Sequence, residues 1–147
     1  MTSVSKIMTT DVQTIGPQET LQRAAQLMDR LNVGSLPVCS GRRLLGIVTD
    51  RDITVRATAT GMSPQVACVS DVMSKQPIWC LESQDTSDVL SRMGEEQVRR
   101  MPVLDVDGDI VGIVSLGDLA TRQSADTERA LRDISLPSAL DGGPQNA

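Results

Sequence analysis

Sliding the 147-residue sequence against itself by 65 positions brings Met8 onto Met73, Met28 onto Met93, Val33 onto Val98, Pro37 onto Pro102 and Val38 onto Val103. One extra residue in the second copy then raises the displacement to 66. Gly46-Ile47-Val48-Thr49-Asp50-Arg51-Asp52-Ile53 now lies on Gly112-Ile113-Val114-Ser115-Leu116-Gly117-Asp118-Leu119. The insertion falls where turn residues cluster, Ser40-Gly41-Arg42-Arg43 against Asp105-Val106-Asp107-Gly108-Asp109. Hairpin loops are where such length changes are tolerated. A self-match of this strength restricts the fold to two like units that share a core.

Within the first copy, Leu21, Ala24, Ala25, Met28 and Leu31 recur at helical spacing and predict an amphipathic helix after Pro17. Val89, Leu90 and Met93 repeat it. A short extended stretch precedes each helix, Val12 to Ile15 and Ile78 to Leu81, and a hairpin of two apolar strands follows each. These hairpins are Ser35 to Cys39 with Leu44 to Val48, and Met101 to Val106 with Ile110 to Val114. Their strands lack clean alternation, which predicts burial on both faces. Second helices are expected from about Asp50 to Ala59 and from about Leu116 to Ser124, with Thr49 and Ser115 as N-caps. The fold class is α/β (α+β), strand-helix-strand-strand-helix given twice. Residues 1–64 hold the first repeat with an N-terminal segment, 65–124 the second, and 125–147 a C-terminal helix and a disordered tail.

Composition removes several function classes. With one Trp and no Phe or Tyr, the core is built from Val, Ile, Leu, Met and Ala. The aromatic platforms that bind single-stranded nucleic acid are almost missing. A net charge of -5, with 14 basic residues among 19 acidic ones, gives no general attraction to nucleic acid or an anionic membrane. No apolar run approaches the ~20 residues of a membrane span, and Met1 to Asp11 lacks the character of a signal peptide, so the expected location is cytoplasmic. Cys39, Cys68 and Cys80 form no C-x-x-C pair and read as reduced, small hydrophobes, with a redox response as the alternative. Histidine is absent, which removes the commonest general base and metal ligand. No nucleophile pairing or carboxylate cluster is visible, so no catalytic or metal site is assigned.

Two copies of about sixty residues, each ending in Gly-hydrophobic-hydrophobic-Thr/Ser-x-x-Asp, resemble the cystathionine beta-synthase (CBS) domain. The resemblance runs from Ser5 to about Ser124. It implies a Bateman module, two repeats packed sheet to sheet about a pseudo-twofold axis with two related clefts. It also implies that AMP, ATP, ADP, NAD or S-adenosylmethionine binds there as a regulatory ligand, and that two modules form a homodimer that signals to a separate regulated protein. A ligand-free dimeric scaffold or interaction module is the alternative.

The motif chemistry agrees with that role. A carboxylate accepts from two neighbouring ribose hydroxyls, which suits Asp52 and Asp118. Thr49 and Ser115 stand where a hydroxyl, backbone N–H groups and a helix dipole converge on a phosphate. All four can also merely cap their helices. Arg99 and Arg100 are candidate phosphate ligands whose first-copy counterparts are Gly34 and Ser35, and Arg51 is a third, opposite Gly117. The clefts are therefore expected to differ, and one of Arg99 and Arg100 is expected to face solvent. The resemblance places adenine against Thr10 to Val12 with Leu36 and Pro37, and against Gln76 to Ile78 with Met101 and Pro102. Core packing is the alternative for each. Trp79 is read as a packing residue, and the apolar faces around Ile53, Val55 and Leu119 as dimer surface.

Overall fold

The computed structural model describes residues 1–121. The end of the helix expected to reach Ser124, and everything assigned to 125–147, lie outside the described residues.

Helix α1 spans Leu21–Leu31 and buries Leu21, Ala24, Leu27 and Met28, while Ala25 faces solvent. Thr20 caps it by accepting from the Arg23 N–H at 3.2 Å. Helix α2, Thr86–Glu96, buries Thr86, Val89 and Met93 and is capped by Asp85. Both end on a left-handed residue that is not glycine, Asn32 and Gln97, each at φ 56°.

The two hairpins form as expected. β1 (Ser35–Ser40) pairs antiparallel with β2 (Arg43–Thr49). After β3 (Cys80–Leu81), β4 (Arg100–Leu104) pairs antiparallel with β5 (Ile110–Ser115). Register shifts fall at Val38/Cys39 and at Val103/Leu104, the same place in each copy. The extended stretches are shorter than expected. Ile78 to Leu81 reduces to the two residues of β3, parallel to β4, and Val12 to Ile15 reduces to a single bridge from Ile15 to Val38. Burial on both faces holds for β1 and β4, whereas β5 alternates buried and half-buried residues.

Residues 50–51 begin a helix that is π-wound over Asp52–Thr58, a departure from the α-helix expected there. Ala59 donates to the Thr54 carbonyl and Met62 to the Ala57 carbonyl, each five residues back. The β-branched Ile53, Thr54, Val55 and Thr58 crowd an α-turn, and wider winding relieves them. In the second copy, residues 116–121 are helical.

Three apolar clusters form the core among the described residues. One gathers Ile15, Leu21, Leu36, Val38 and Val48 of the first repeat, and with them Val69 and Val72. Another gathers Cys80, Val89, Met93, Met101, Val103, Val114 and Leu119 of the second, and with them Val4. Each repeat's leading segment thus seals the core of the other. Val4 and Ser5 donate to the carbonyls of Gln84 and Glu82, and Val69 and Ser70 donate to those of Glu19 and Pro17. A third cluster joins the sheets, Cys39 with Leu104 and Ile110, and Val12, Leu44 and Ile113 against them.

The crossing explains the motif glycines. Thr9 and Ile113 exchange N–H···O bonds of 2.8 and 2.9 Å, and Ile47 and Ser74 exchange bonds of 3.0 and 2.8 Å. A Cβ on Gly46 would overlap the Ser74 carbonyl oxygen, and one on Gly112 would come within 2.5 Å of Met8 Sδ and 3.0 Å of the Thr9 carbonyl. Only glycine lets the leading segment pass that close.

Candidate functional site

Strands β2 and β5 end on Thr49 and Ser115, and the chain turns there into a helix. The Thr49 hydroxyl accepts from the Asp52 N–H at 3.0 Å, and Asp52 Oδ2 accepts from the Thr49 N–H at 2.9 Å. Ser115 and Asp118 repeat the arrangement at 3.0 and 3.4 Å. These are reciprocal capping boxes, with Asp in the place of the usual Glu or Gln. The capping role is therefore real, but it uses one carboxylate oxygen and only the acceptor side of the hydroxyl. Each hydroxyl keeps a proton to donate, and the second oxygen of each carboxylate takes no part in the box.

The two pairs differ in their surroundings. Asp52 Oδ1 lies 3.7 Å from Arg56 Nε, and the Asp52 side chain is 16% exposed. Arg56 also donates to the Val72 carbonyl at 3.2 Å. Sequence reading passed over Arg56, although its position four residues after Asp52 was a signal for a helical ion pair. Asp118 is exposed.

Register decides which arginine accompanies the second pair. Arg100 lies directly opposite Ser115, as Ser35 lies opposite Thr49, and opposed residues of an antiparallel ladder present their side chains on one face. Arg99 stands before the strand, its carbonyl accepting from Leu116 at 2.7 Å. At the matching position, Gly34 accepts from Asp50 at 2.9 Å, and the Asp50 carboxylate fills the space a Gly34 side chain would need, 3.1 Å from where its Cβ would stand. Arg51 is exposed, and its N–H donates to Asp50 Oδ1 at 2.8 Å.

The leading segments bring the remaining candidates alongside. Thr10 follows the bridge to β5, and Val12 packs in the cluster between the sheets. Gln76 follows the bridge from Ser74 to β2 and is exposed, while Ile78 packs against the second core. Residues 10–15 thus pass from the second repeat's sheet to the first repeat's own, where Ile15 donates to the Pro37 carbonyl. Leu36 and Met101 are core residues, and Pro37 and Pro102 are buried beside them. Trp79 is more exposed than a packing residue, at 39%, with its carbonyl accepting from Arg92. A cavity of about 350 Å³ opens between α1 and the following helix, lined by Met28, Asn32, Val33, Asp50, Ile53 and Thr54. It includes neither Thr49 nor Asp52.

Burial pushes the Cys39 and Cys80 thiols up to about 11, with Arg92 opposing part of the effect at Cys80. Thiols so held are poor nucleophiles at neutral pH. Among the described residues no group of three or more acidic or thiol side chains is placed to hold a metal ion.

The sequence profile of the CBS domain matches residues 4–57 and again residues 69–125. The chain belongs to the CBS domain family. YhcV, a CBS domain-containing protein of Bacillus subtilis, is 42% identical over 137 residues, which are 92% of this chain and 96% of that one. Hypoxic response protein 1 of Mycobacterium tuberculosis is 36% identical over 121 residues, 82% of this chain and 84% of that protein. A crystal structure of Hypoxic Response Protein I with two coordinated zinc ions superposes with a TM-score of 0.75, covering 83% of this chain and 99% of that one. CBSX2 of Arabidopsis thaliana, crystallised in complex with AMP, is 25% identical and superposes with a TM-score of 0.73 over 87% of this chain and 99% of that one. The mixed helix-and-sheet architecture of two CBS repeats read from the sequence is the one these structures share.

Proposed function

We propose that this CBS pair is a regulatory module that binds an adenine nucleotide at its strand-end pairs, Thr49 with Asp52 and Ser115 with Asp118, and catalyses no reaction. The observation that carries this reading is the half-used state of those pairs, with a hydroxyl proton left for a phosphate in both repeats and a second carboxylate oxygen for a ribose, which at Asp52 is shared with Arg56. The AMP held by CBSX2 supports the ligand class. AMP, ATP, ADP, NAD and S-adenosylmethionine all present the same adenosine. Thr10 to Val12 and Gln76 to Ile78 supply the walls, and Leu36, Pro37, Met101 and Pro102 hold the floor in place from the core. A homodimer working in the cytoplasm on a separate regulated protein completes the reading. Its surface includes Val55 but not Leu119, which is fully buried in the second core. Among the described residues no helix is long and apolar enough to cross a membrane.

The test is isothermal titration calorimetry with each nucleotide on wild type, Asp52→Ala and Asp118→Ala, with circular dichroism to check that each variant folds. Saturable binding lost in one or both folded variants supports the sensor. A ligand-free dimeric scaffold, in which the two pairs serve only as helix caps, is the second reading. No heat from any nucleotide with an intact dimer selects it.

A further inference from the structure

We infer that Arg56 is a positioning residue that couples the first repeat's motif to the second repeat's leading segment. One guanidinium holds both the Asp52 carboxylate and the Val72 carbonyl, so a nucleotide on Asp52 tightens residues 69–76. This rests on the adenine-nucleotide reading above and adds how occupancy is felt outside the cleft.

The two ends of the link belong to different repeats. Arg56 Nε lies 3.7 Å from Asp52 Oδ1, and Arg56 Nη1 donates to the Val72 carbonyl at 3.2 Å. A planar guanidinium offers several donors in a fixed fork, so one side chain can serve both partners at once. The sequence repeats the parts, since Arg122 stands four residues after Asp118 and Ile7 is the counterpart of Val72.

The far end is held stiffly. Val72 is 1% exposed in the first repeat's core. Around it, Asp71 Oδ2 accepts from the Cys68 N–H at 2.9 Å, and the Val72 and Met73 N–H groups donate to the Val69 carbonyl. Two residues on, Ser74 donates to the Ile47 carbonyl of β2 at 2.8 Å. A pull on the Val72 carbonyl is therefore a pull on the whole crossing segment.

The near end is open to a ligand. At 3.7 Å the Arg56 contact is an ion pair longer than a hydrogen bond, so Oδ1 can accept from a ribose hydroxyl with no bond to break. The Arg56 side chain is 57% exposed, and solvent screens the pair in the ligand-free chain. A nucleoside laid on Asp52 excludes that water, which strengthens the attraction and fixes the guanidinium against the Val72 carbonyl.

Hydrogen exchange of the full chain, with and without saturating AMP, tests the link. The background is Asp118→Ala, which leaves Thr49–Asp52 as the intact pair, and calorimetry confirms saturation. AMP should slow exchange over residues 69–76, and at Ser74 above all, by about two- to fivefold, the range of a partly exposed charged contact. With Arg56→Gln added, AMP should still bind but leave that exchange unchanged, whereas Arg56→Lys, which keeps the charge, should restore the slowing. Circular dichroism checks that each variant folds. Slowing that survives in Arg56→Gln, or no slowing in the parent chain despite bound AMP, overturns the inference. An Arg56→Lys chain that behaves as Arg56→Gln assigns the effect to packing and overturns it too. Loss of AMP binding in Arg56→Gln would place Arg56 on the ligand instead, and loss on Asp118→Ala alone would leave Asp52 without one; either result overturns the coupling. A wild-type chain that binds no AMP in calorimetry defeats the adenine-nucleotide reading itself.

Discussion

Replacing Gly46 by alanine tests whether the crossing of the leading segments controls stability. The new Cβ would overlap the Ser74 carbonyl oxygen, which is the acceptor of the Ile47 N–H bond at 3.0 Å. A backbone atom cannot rotate aside. The segment must retreat, weakening that bond and its 2.8 Å partner from Ser74 to Ile47. Two backbone bonds at about 1 kcal/mol each, with about 1–3 kcal/mol of overpacking, oppose a gain of about 0.5 kcal/mol from the stiffer unfolded chain. The net cost is about 2.5–4.5 kcal/mol, a melting-temperature loss of roughly 10 °C. Gly112→Ala should cost less, about 1–2 kcal/mol, because its nearest obstacle is the flexible Met8 thioether. Gly94→Ala is the control. It lies within α2 with nothing within 4 Å of an added Cβ, and helix propensity predicts a gain of about 0.5–1 kcal/mol. Urea unfolding followed by far-ultraviolet circular dichroism reads all three. A Gly46→Ala variant within about 1 kcal/mol of wild type, or a ranking that puts Gly112→Ala below it in stability, would refute the argument.

Val4→Ala removes a fully buried side chain from the second repeat's core and should cost about 2–3 kcal/mol in the same assay, although residue 4 lies at the other end of the sequence from that core. Gln97→Gly at the left-handed end of α2 should stabilise the chain by about 1 kcal/mol, seen as a higher urea midpoint with an unchanged slope. The Cys39 and Cys80 thiols are raised in the folded state, so the native chain holds their protons more tightly than the unfolded chain. Stability should be intact below about pH 9 and fall as pH rises toward about 11, and alanine at both positions should flatten that fall in melts run across the range.

The repeat, the hairpins and the helix starts were legible because each is written in local signals. Apolar spacing marks α1 and α2, turn residues mark the hairpin tips, and Thr or Ser three residues before Asp marks the capping boxes. Arg100 was named from the sequence, but its place opposite Ser115 needed the register, since Arg99 stands beside it with the same chemistry. Asp50 and Arg56 were harder to find. The Asp50 carboxylate comes to lie in front of Gly34, a contact between residues sixteen apart that spacing does not encode. The crossing of the leading segments was not legible at all. Val4 and Val69 are interchangeable as hydrophobes, and either would satisfy the core of its own repeat. The choice is made by loop reach and by the close approach at Gly46 and Gly112, both properties of the assembled chain.

That crossing sets what can be moved as a unit. A cut between residues 64 and 65 would give two fragments, each missing the wedge that closes its core and each carrying the wedge of the other. Each fragment alone is expected to be destabilised by the loss of that wedge, and mixing the two should restore the fold by complementation. The smallest portable device in this sequence is therefore the linked pair of repeats, and a shift in either leading segment is felt first by the core of the opposite repeat.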